Sequence, residues 1–110
     1  MTINSKQKGK RGELELVNFL KKRGLKARRT EQYCGKTGDA SDVLCKELKQ
    51  FHIEVKRTEK FSLYKAYDQT QADKKSNKTG IIFHRSSRKP GVVVMDAEEF
   101  LDLIEERGVI

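Results

Sequence analysis

The sequence predicts one α/β domain: a mixed sheet of about five strands flanked by helices. Residues 51–56 alternate between apolar and polar side chains, as a strand with one buried face does. Residues 12–23 and the segment after Asp96 repeat apolar side chains at helical spacing. These and the remaining segments follow in the order α-β-β-β-α-β-β-α, which is typical of helices packed on a sheet.

The length and composition also limit the class of protein. A chain of 110 residues can bury one modest core, so we expect a single domain over 1–110, with residues 1–7 flexible. Apolar runs are too short for a membrane span, and the N-terminus lacks the apolar region of a signal peptide. The two cysteines lack metal-ligand spacing. We therefore expect a cytoplasmic protein with reduced thiols and no membrane partner.

The positive charge is concentrated at the N-terminus. Net charge is +8, and the first thirty residues carry ten Lys and Arg against two Glu, whereas the remainder is balanced. This asymmetry suggests a polyanion such as DNA, although a merely soluble basic surface would look the same. The basic side chains that we predict to contact phosphates are Lys8, Lys10, Arg11, Arg28, Arg29 and Arg85.

The first helix, over residues 12–23, has an apolar stripe and a clear end. Leu16, Val17 and Leu20 share one face, and Gly24 suits the left-handed position that ends a helix. Residues 25–30 then alternate like an edge strand, and the polar loop 31–40 leads to the second strand. We therefore expect the helix to turn this stripe towards the core.

The second half of the chain continues the same architecture. A second helix begins at Leu63, and strands follow over 81–85 and 92–95. The apolar run at 92–95 predicts a strand covered on both faces. Asp96 can cap a last helix. The apolar positions of that helix, which we expect to pack inward, are Phe100, Leu101, Leu103 and Ile104.

The central hairpin is predicted to gather charged side chains. Residues 41–45 and 51–56 are joined by a loop of hairpin length, so Asp42 should lie roughly opposite Val55 or Lys56. Asp42, Glu54 and Lys56 would then lie within a few ångströms. Two hard oxygen ligands and one cation suit Mg²⁺ and a phosphate. The alternative is an ordinary Glu54–Lys56 ion pair on a solvated sheet face.

A third carboxylate could join this cluster from the first helix. Glu13 lies at the N-terminal end of the inward stripe that contains Leu16 and Val17. The alternative is that this acid only complements the helix dipole near the start of the helix. Which applies depends on where that end of the helix points.

The spacing of these residues resembles the PD-(D/E)XK nuclease superfamily. The signature is Gly38-Asp39-Ala40-Ser41-Asp42-Val43 followed by Ile53-Glu54-Val55-Lys56-Arg57. The motif order is similar to that of small Holliday-junction resolvase-like nucleases of archaea and phages and of VRR-NUC domains. The match runs from about Lys10 to Glu105 and continues with Asp68-Gln69, Phe83-His84-Arg85, Val92-Val93-Val94 and Glu99-Phe100-Leu101. Ser41 replaces the proline of the family, and Asp39 is the reserve candidate for the first acid.

The resemblance implies a restriction-endonuclease-like core and a role for each residue. Mg²⁺, for which Mn²⁺ could substitute, would be held by Asp42, Glu54, the Val55 carbonyl and Glu13, directly or through water. Lys56 would orient the attacking water. Gln69 would contact that water or Lys56. The roles of His84 and Gln71 stay open, as does the number of metals.

The resemblance also implies DNA as substrate, in the cytoplasm of a prokaryotic cell or a phage-infected host. A homodimer on four-way junctions is expected, because two symmetric cuts need two sites. Its interface could include residues 92–95 and the last helix. A general, flap- or nick-directed nuclease is the alternative within the same chemistry. A non-catalytic DNA-binding module is the alternative from another class, and intact Asp42, Glu54 and Lys56 argue against it.

Overall fold

A computed structural model describes residues 5–30 and 41–110 of the chain, with side chains from Gly9 onward. Its strands form one five-stranded sheet in the order β1-β2-β3-β4-β5. The strands are β1 (Ala27–Arg29), β2 (Val43–Cys45), β3 (Phe51–Arg57), β4 (Thr79–Arg85) and β5 (Val92–Met95). The helices are α1 (Ser5–Lys22), α2 (Leu63–Asp73) and α3 (Ala97–Glu106), and a 3₁₀ turn (Lys46–Leu48) joins β2 to β3. The predicted fold class is confirmed.

The sheet is mixed because one connection crosses over. Strands β1–β2, β2–β3 and β4–β5 pair antiparallel, whereas β3 and β4 pair parallel over seven residues. Parallel neighbours need a crossover, and α2 supplies it. α1 packs mainly over β1 to β3, and α2 packs over β4.

The main core lies between α1 and the sheet. The predicted stripe of Leu16, Val17 and Leu20 is buried there. Its partners in the sheet are Ala27, Val43, Cys45, Ile53 and Ile81. The helix ends as predicted, because Gly24 adopts φ +84° and its N–H donates to the carbonyl of Lys21.

One face of β3 packs under α1, and the opposite face contains Glu54 and Lys56. This opposite face is covered, whereas an ordinary Glu54–Lys56 ion pair would have been solvated. His52 and Glu54 are only 1% and 7% exposed. Gly80 pairs with His52 in register, and a Cβ placed on Gly80 would lie 2.7 Å from the Thr70 Cγ2 of α2. α2 therefore packs directly on this face, because the crossover that makes β3 and β4 parallel must pass over the sheet.

Several boundaries differ from the prediction. α1 begins at Ser5 rather than residue 12, so residues 5–7 belong to a helix instead of a flexible terminus. β1 and β2 are shorter than expected, and α2 ends at Asp73. Residues 31–40, which include Asp39, lie outside the described part of the chain.

Two expectations about the end of the chain are wrong. Val93 of β5 is 51% exposed and Leu101 of α3 is 52% exposed, so neither element is covered as predicted. β5 is an edge strand, and α1 packs mainly over β1 to β3 whereas α2 packs over β4. The predicted cap is nevertheless present, since Asp96 Oδ1 accepts from the Glu99 N–H at 3.1 Å. No helix in residues 5–30 and 41–110 is long and apolar enough to cross a membrane.

Candidate active site

The β2–β3 pairing brings two carboxylates together at one end of the hairpin. Val43 lies opposite Ile53, so the register places Asp42 beside Glu54, one or two positions from the predicted partner. The Asp42 N–H donates to the Ile53 carbonyl at 2.8 Å, and its Oδ2 accepts from the Val55 N–H at 2.9 Å. Backbone groups of β3 thus fix both the main chain and the side chain of Asp42.

Asp42 holds a proton in the absence of a cation. Burial, and then repulsion from the charge of Glu54, raises the pKa of Asp42 to about 8 from an ordinary 3.8. A protonated Asp42 can donate a hydrogen bond to the Glu54 carboxylate, which also raises the pKa of Asp42. At neutral pH Asp42 therefore carries a proton that a bound cation would displace.

Glu13 lies near this pair but has a partner of its own. Because α1 begins at Ser5, Glu13 is in the third turn, where the helix dipole no longer explains an acid. Its Oε1 accepts from Arg29 Nε at 2.9 Å. The charge of Glu13 still contributes to the raised pKa of Asp42. Arg29, predicted to contact DNA, is thus placed beside the carboxylates.

Glu54 also contacts His52, a residue to which the sequence analysis gave no role. His52 Nε2 lies 2.7 Å from Glu54 Oε1, and His52 Nδ1 lies 3.2 Å from Ser41 Oγ. The signal was present in the strand alternation, which puts His52 and Glu54 on one face. Nothing in that pattern, however, indicated that this face would be buried.

The other predicted site residues differ in how closely they approach the Asp42–Glu54 pair. Lys56 is half-buried on the same strand face as Glu54. Gln69 is exposed, and its Nε2 donates to Asp73 one turn later on α2. Gln71 donates to the Tyr67 hydroxyl at 3.4 Å. The structure therefore gathers Asp42, Glu54 and Glu13 more closely than Gln69.

The carboxylates at this site offer a limited donor set for a divalent cation. In the part of the chain that the structure describes, no group of three His, Cys, Asp or Glu side chains is arranged to hold a metal ion. Asp42 and Glu54 by themselves present hard oxygen donors. A bound cation would relieve the repulsion between their two carboxylates. The pair fits Mg²⁺, and other ligands would come from backbone, water, substrate or a moved Glu13.

Comparison with known proteins identifies the fold. No protein-family model matches the chain, and no curated protein matches it in sequence. Among solved structures it is similar to Hjc, a Holliday junction resolvase from the archaeal hyperthermophile Archaeoglobus fulgidus. The TM-score is 0.60 at 18% identity, over 79% of this chain and 76% of that one. This chain has the fold of Hjc. The resemblance to resolvase-like nucleases is thus confirmed at the level of the fold.

Basic side chains line two cavities of this Hjc-like fold. A cavity of about 580 Å³ lies beside Lys56, with Arg57, Arg85 and Lys89 in its wall. The second, of about 600 Å³, lies at the opposite end of β3. It contains Arg28 and the lysines Lys21, Lys26, Lys46, Lys49 and Lys78. Of the predicted phosphate contacts, Lys10 and Arg11 are exposed on α1, and the side chain of Lys8 is outside the described part.

His84 anchors the connection that leaves the site. Its ring stacks on Phe61 with centroids 4.2 Å apart, and its Nε2 lies 3.1 Å from the Thr58 carbonyl. A carbonyl only accepts, so this nitrogen donates. His84 pairs with Lys56 in the β3–β4 register. It therefore holds residues 58–61, between β3 and α2, against the sheet.

Proposed function

We propose that the protein is a metal-dependent endonuclease that hydrolyses DNA phosphodiester bonds and prefers branched DNA such as four-way junctions. The observation that carries this proposal is the pairing of half-buried Asp42 with buried Glu54 at the β2–β3 hairpin. Lys56 lies two positions further along the same strand face, and the whole sits in an Hjc-like fold. Fold and local chemistry thus support the same reaction class.

Each residue at the site would have a defined task. Asp42, Glu54, the Val55 carbonyl and Glu13 would hold Mg²⁺ or Mn²⁺, which when bound polarises the scissile phosphate and lowers the pKa of a coordinated water. Asp42 would give up its proton as the cation binds. Lys56 would orient the attacking water and offset negative charge that develops in the transition state.

Gln69 and Glu13 would need to rearrange in order to act. Gln69 would have to leave Asp73 before it could contact the attacking water or Lys56. Glu13 would have to loosen its 2.9 Å bond to Arg29 to ligate a cation directly, or act through a water without doing so. Cation and substrate binding would supply the driving force, because both bring charge to this face.

DNA binding would rest on the basic surfaces. Lys10, Arg11 and Lys8 on the first turns of α1 would contact phosphates near the site, together with Arg85 in the cavity beside Lys56. Arg28 and its five lysine neighbours would contact a more distant part of the backbone. Such contacts set affinity rather than sequence preference, so binding should weaken steeply with salt.

Junction selectivity would require two copies. Two symmetric cuts need two sites, and a two-fold dimer is the simplest arrangement that provides them. Large apolar side chains are exposed on β5 and α3, namely Val92, Val93, Phe100 and Leu101. Exposed apolar side chains of this size mark candidate interfaces. We therefore propose a homodimer through this end of the chain, acting on DNA in the cytoplasm.

A cleavage assay tests the proposal. The protein is incubated in Mg²⁺ with four-way junction, flap, nicked and linear DNA of identical sequence, alongside Asp42→Asn and Glu54→Gln. We expect paired cuts in the junction, and no cleavage by either variant or in EDTA. Glu106→Gln, an exposed acid near the C-terminus, is the matched control and should cleave normally.

The other outcomes separate the alternatives. Equal cleavage of all four substrates would indicate a general nuclease. Tight junction binding without cleavage would indicate a DNA-binding module. Full activity in EDTA would exclude the proposed chemistry.

A further inference from the structure

A buried chain of three side chains lies behind the site. Glu54 Oε1 lies 2.7 Å from His52 Nε2, and His52 Nδ1 lies 3.2 Å from Ser41 Oγ. The three residues are 7%, 1% and 3% exposed in that order. Burial without a partner is costly for polar groups, so both ring nitrogens of His52 are used where water cannot compete.

The chemistry of the groups fixes the direction of the bonds. An ionised carboxylate can only accept, so His52 Nε2 carries hydrogen and donates to Glu54. In the neutral ring Nδ1 is then the acceptor, and the Ser41 hydroxyl donates to it. The Glu54 carboxylate thereby selects the tautomer, because the hydroxyl of Ser41 could either donate or accept. The bond to Ser41 limits rotation of the ring.

The backbone geometry explains why these three residues meet. His52 and Glu54 are two positions apart on β3, so their side chains lie on one face. Ser41 comes from the adjoining end of β2, next to Asp42. On that face His52 pairs in register with Gly80, on which α2 packs. The ring is thus enclosed on the face of the sheet on which α2 packs.

We propose that His52, oriented by Ser41, is a positioning residue that fixes the Glu54 carboxylate for metal binding. This inference rests on the proposed function. Glu54 has several rotatable bonds, and holding one oxygen in advance removes part of the entropy cost of ligation. Hydrogen bonds from outside the ligand shell commonly have this effect on metal affinity. Asp42 is fixed in the same way by the Val55 N–H, so both carboxylates are preset.

The test measures Mn²⁺ affinity without DNA, by calorimetry on the folded full chain. His52→Leu removes the donor at similar volume, and we expect the affinity to fall about 10- to 100-fold. His52→Gln can place its amide nitrogen near the position of Nε2, and we expect it to restore most of the affinity. Ser41→Ala should give an intermediate loss, since the ring remains but its orientation is less fixed.

A matched control separates positioning from general loss of stability. Thr70 is a buried polar residue on the side of α2 that faces Gly80, and its hydroxyl donates to the Ala66 carbonyl of its own helix. Thr70→Val should lower the melting temperature without changing Mn²⁺ affinity. If Thr70→Val weakens Mn²⁺ binding as much as His52→Leu does, or if His52→Gln is as weak as His52→Leu, the inference is wrong.

A second readout needs neither metal nor activity. The nitrogen-15 spectrum of the histidine rings in wild type should show the Nε2–H tautomer for His52, and Glu54→Gln should shift that signal. The opposite tautomer would overturn the inference even if His52→Leu did not fold. If wild type binds Mn²⁺ and His52→Leu binds it equally well, only the positioning role fails. If wild type does not bind Mn²⁺ at all, the proposed metal site fails with it.

Discussion

At the scale of single residues, Asp42 carries the most unusual chemistry in the described chain. Its carboxyl group is half-buried beside the buried carboxylate of Glu54, and its pKa is raised to about 8. A structural acid would normally be paired with a cation, which lowers the pKa. The opposite arrangement is typical of sites at which a cation or a substrate supplies the missing charge.

The raised pKa of Asp42 predicts how stability depends on pH. The folded protein binds the proton more tightly than the unfolded chain, whose ordinary pKa is 3.8. The stabilisation is therefore complete below pH 3.8 and is lost as pH rises through about 8. In EDTA we expect Asp42→Asn to remove this decline, as measured by melting temperatures of both proteins across that range.

The same proton should compete with Mg²⁺. We expect the stabilisation that Mg²⁺ gives wild type to increase as pH approaches 8, because the cation need not displace a proton from Asp42 there. Melting curves with and without Mg²⁺ at each pH measure this difference. A stabilisation by Mg²⁺ that did not vary with pH would mean that the cation binds elsewhere.

Lys56 gives a second prediction at the residue scale. Lys56→Ala should lower the single-turnover cleavage rate about 10²- to 10³-fold, the usual loss when one electrostatic contact to a transition state is removed. Its side chain is only half-buried, so the melting temperature should hardly change. Lys60→Ala, an exposed lysine just beyond β3, is the control for general loss of positive charge. A near wild-type rate for Lys56→Ala would assign Lys56 a structural role.

At the scale of elements, the β3–α2–β4 crossover determines the environment of the site. It places α2 over the face that contains His52 and Glu54, so a polar strand face becomes a buried one. Close packing of α2 depends on a position without a side chain. Gly80 on β4 provides that position, since a Cβ there would lie 2.7 Å from the Thr70 Cγ2.

This contact predicts a specific loss of stability. Gly80→Ala should lower the free energy of unfolding by about 1–3 kcal/mol, because α2 must shift away from the sheet. Gly91→Ala is the matched control, since a Cβ there meets only the His84 carbonyl at 3.9 Å. Thr70→Ser, which removes Cγ2, should recover part of the loss in combination with Gly80→Ala. Urea unfolding of the four proteins measures each step.

At the scale of the whole molecule, the sheet is well covered under α1 and exposed around β5 and α3. The core beneath α1 is complete, whereas α3 contains no buried residue and β5 is an open edge. Open edges and exposed apolar helices favour association. The apolar pattern that predicted burial within one chain is equally what an interface between two chains requires.

The assembly prediction concerns this exposed end. Leu101→Glu should convert the proposed dimer to a monomer without unfolding it, because Leu101 is already half-exposed in the single chain. Tyr64→Glu, which changes an exposed aromatic residue on α2, should leave the dimer intact. Sedimentation across a concentration series, with and without a four-way junction, decides this. A wild-type protein that stays monomeric on the junction would exclude the dimer.

The sequence by itself determined the elements and the pairing of the two acids. Strand alternation, the apolar stripe of α1 and a hairpin-length loop are local patterns, and each was found close to its predicted place. The same local signals brought Asp42 next to Glu54 to within one or two positions of register. The order of elements predicted a mixed α/β sheet, and the motif resemblance predicted the resolvase-like fold that the likeness to Hjc confirms.

Only the tertiary structure decided what surrounds those acids. The burial of His52, the pairing of Glu13 with Arg29 and the exposure of Leu101 each depend on residues distant in sequence. Periodicity tells which side chains share a face, but it does not tell what covers that face. The segments that cover a strand face are set by the crossover of α2 and by the order of strands, because these place remote segments in contact.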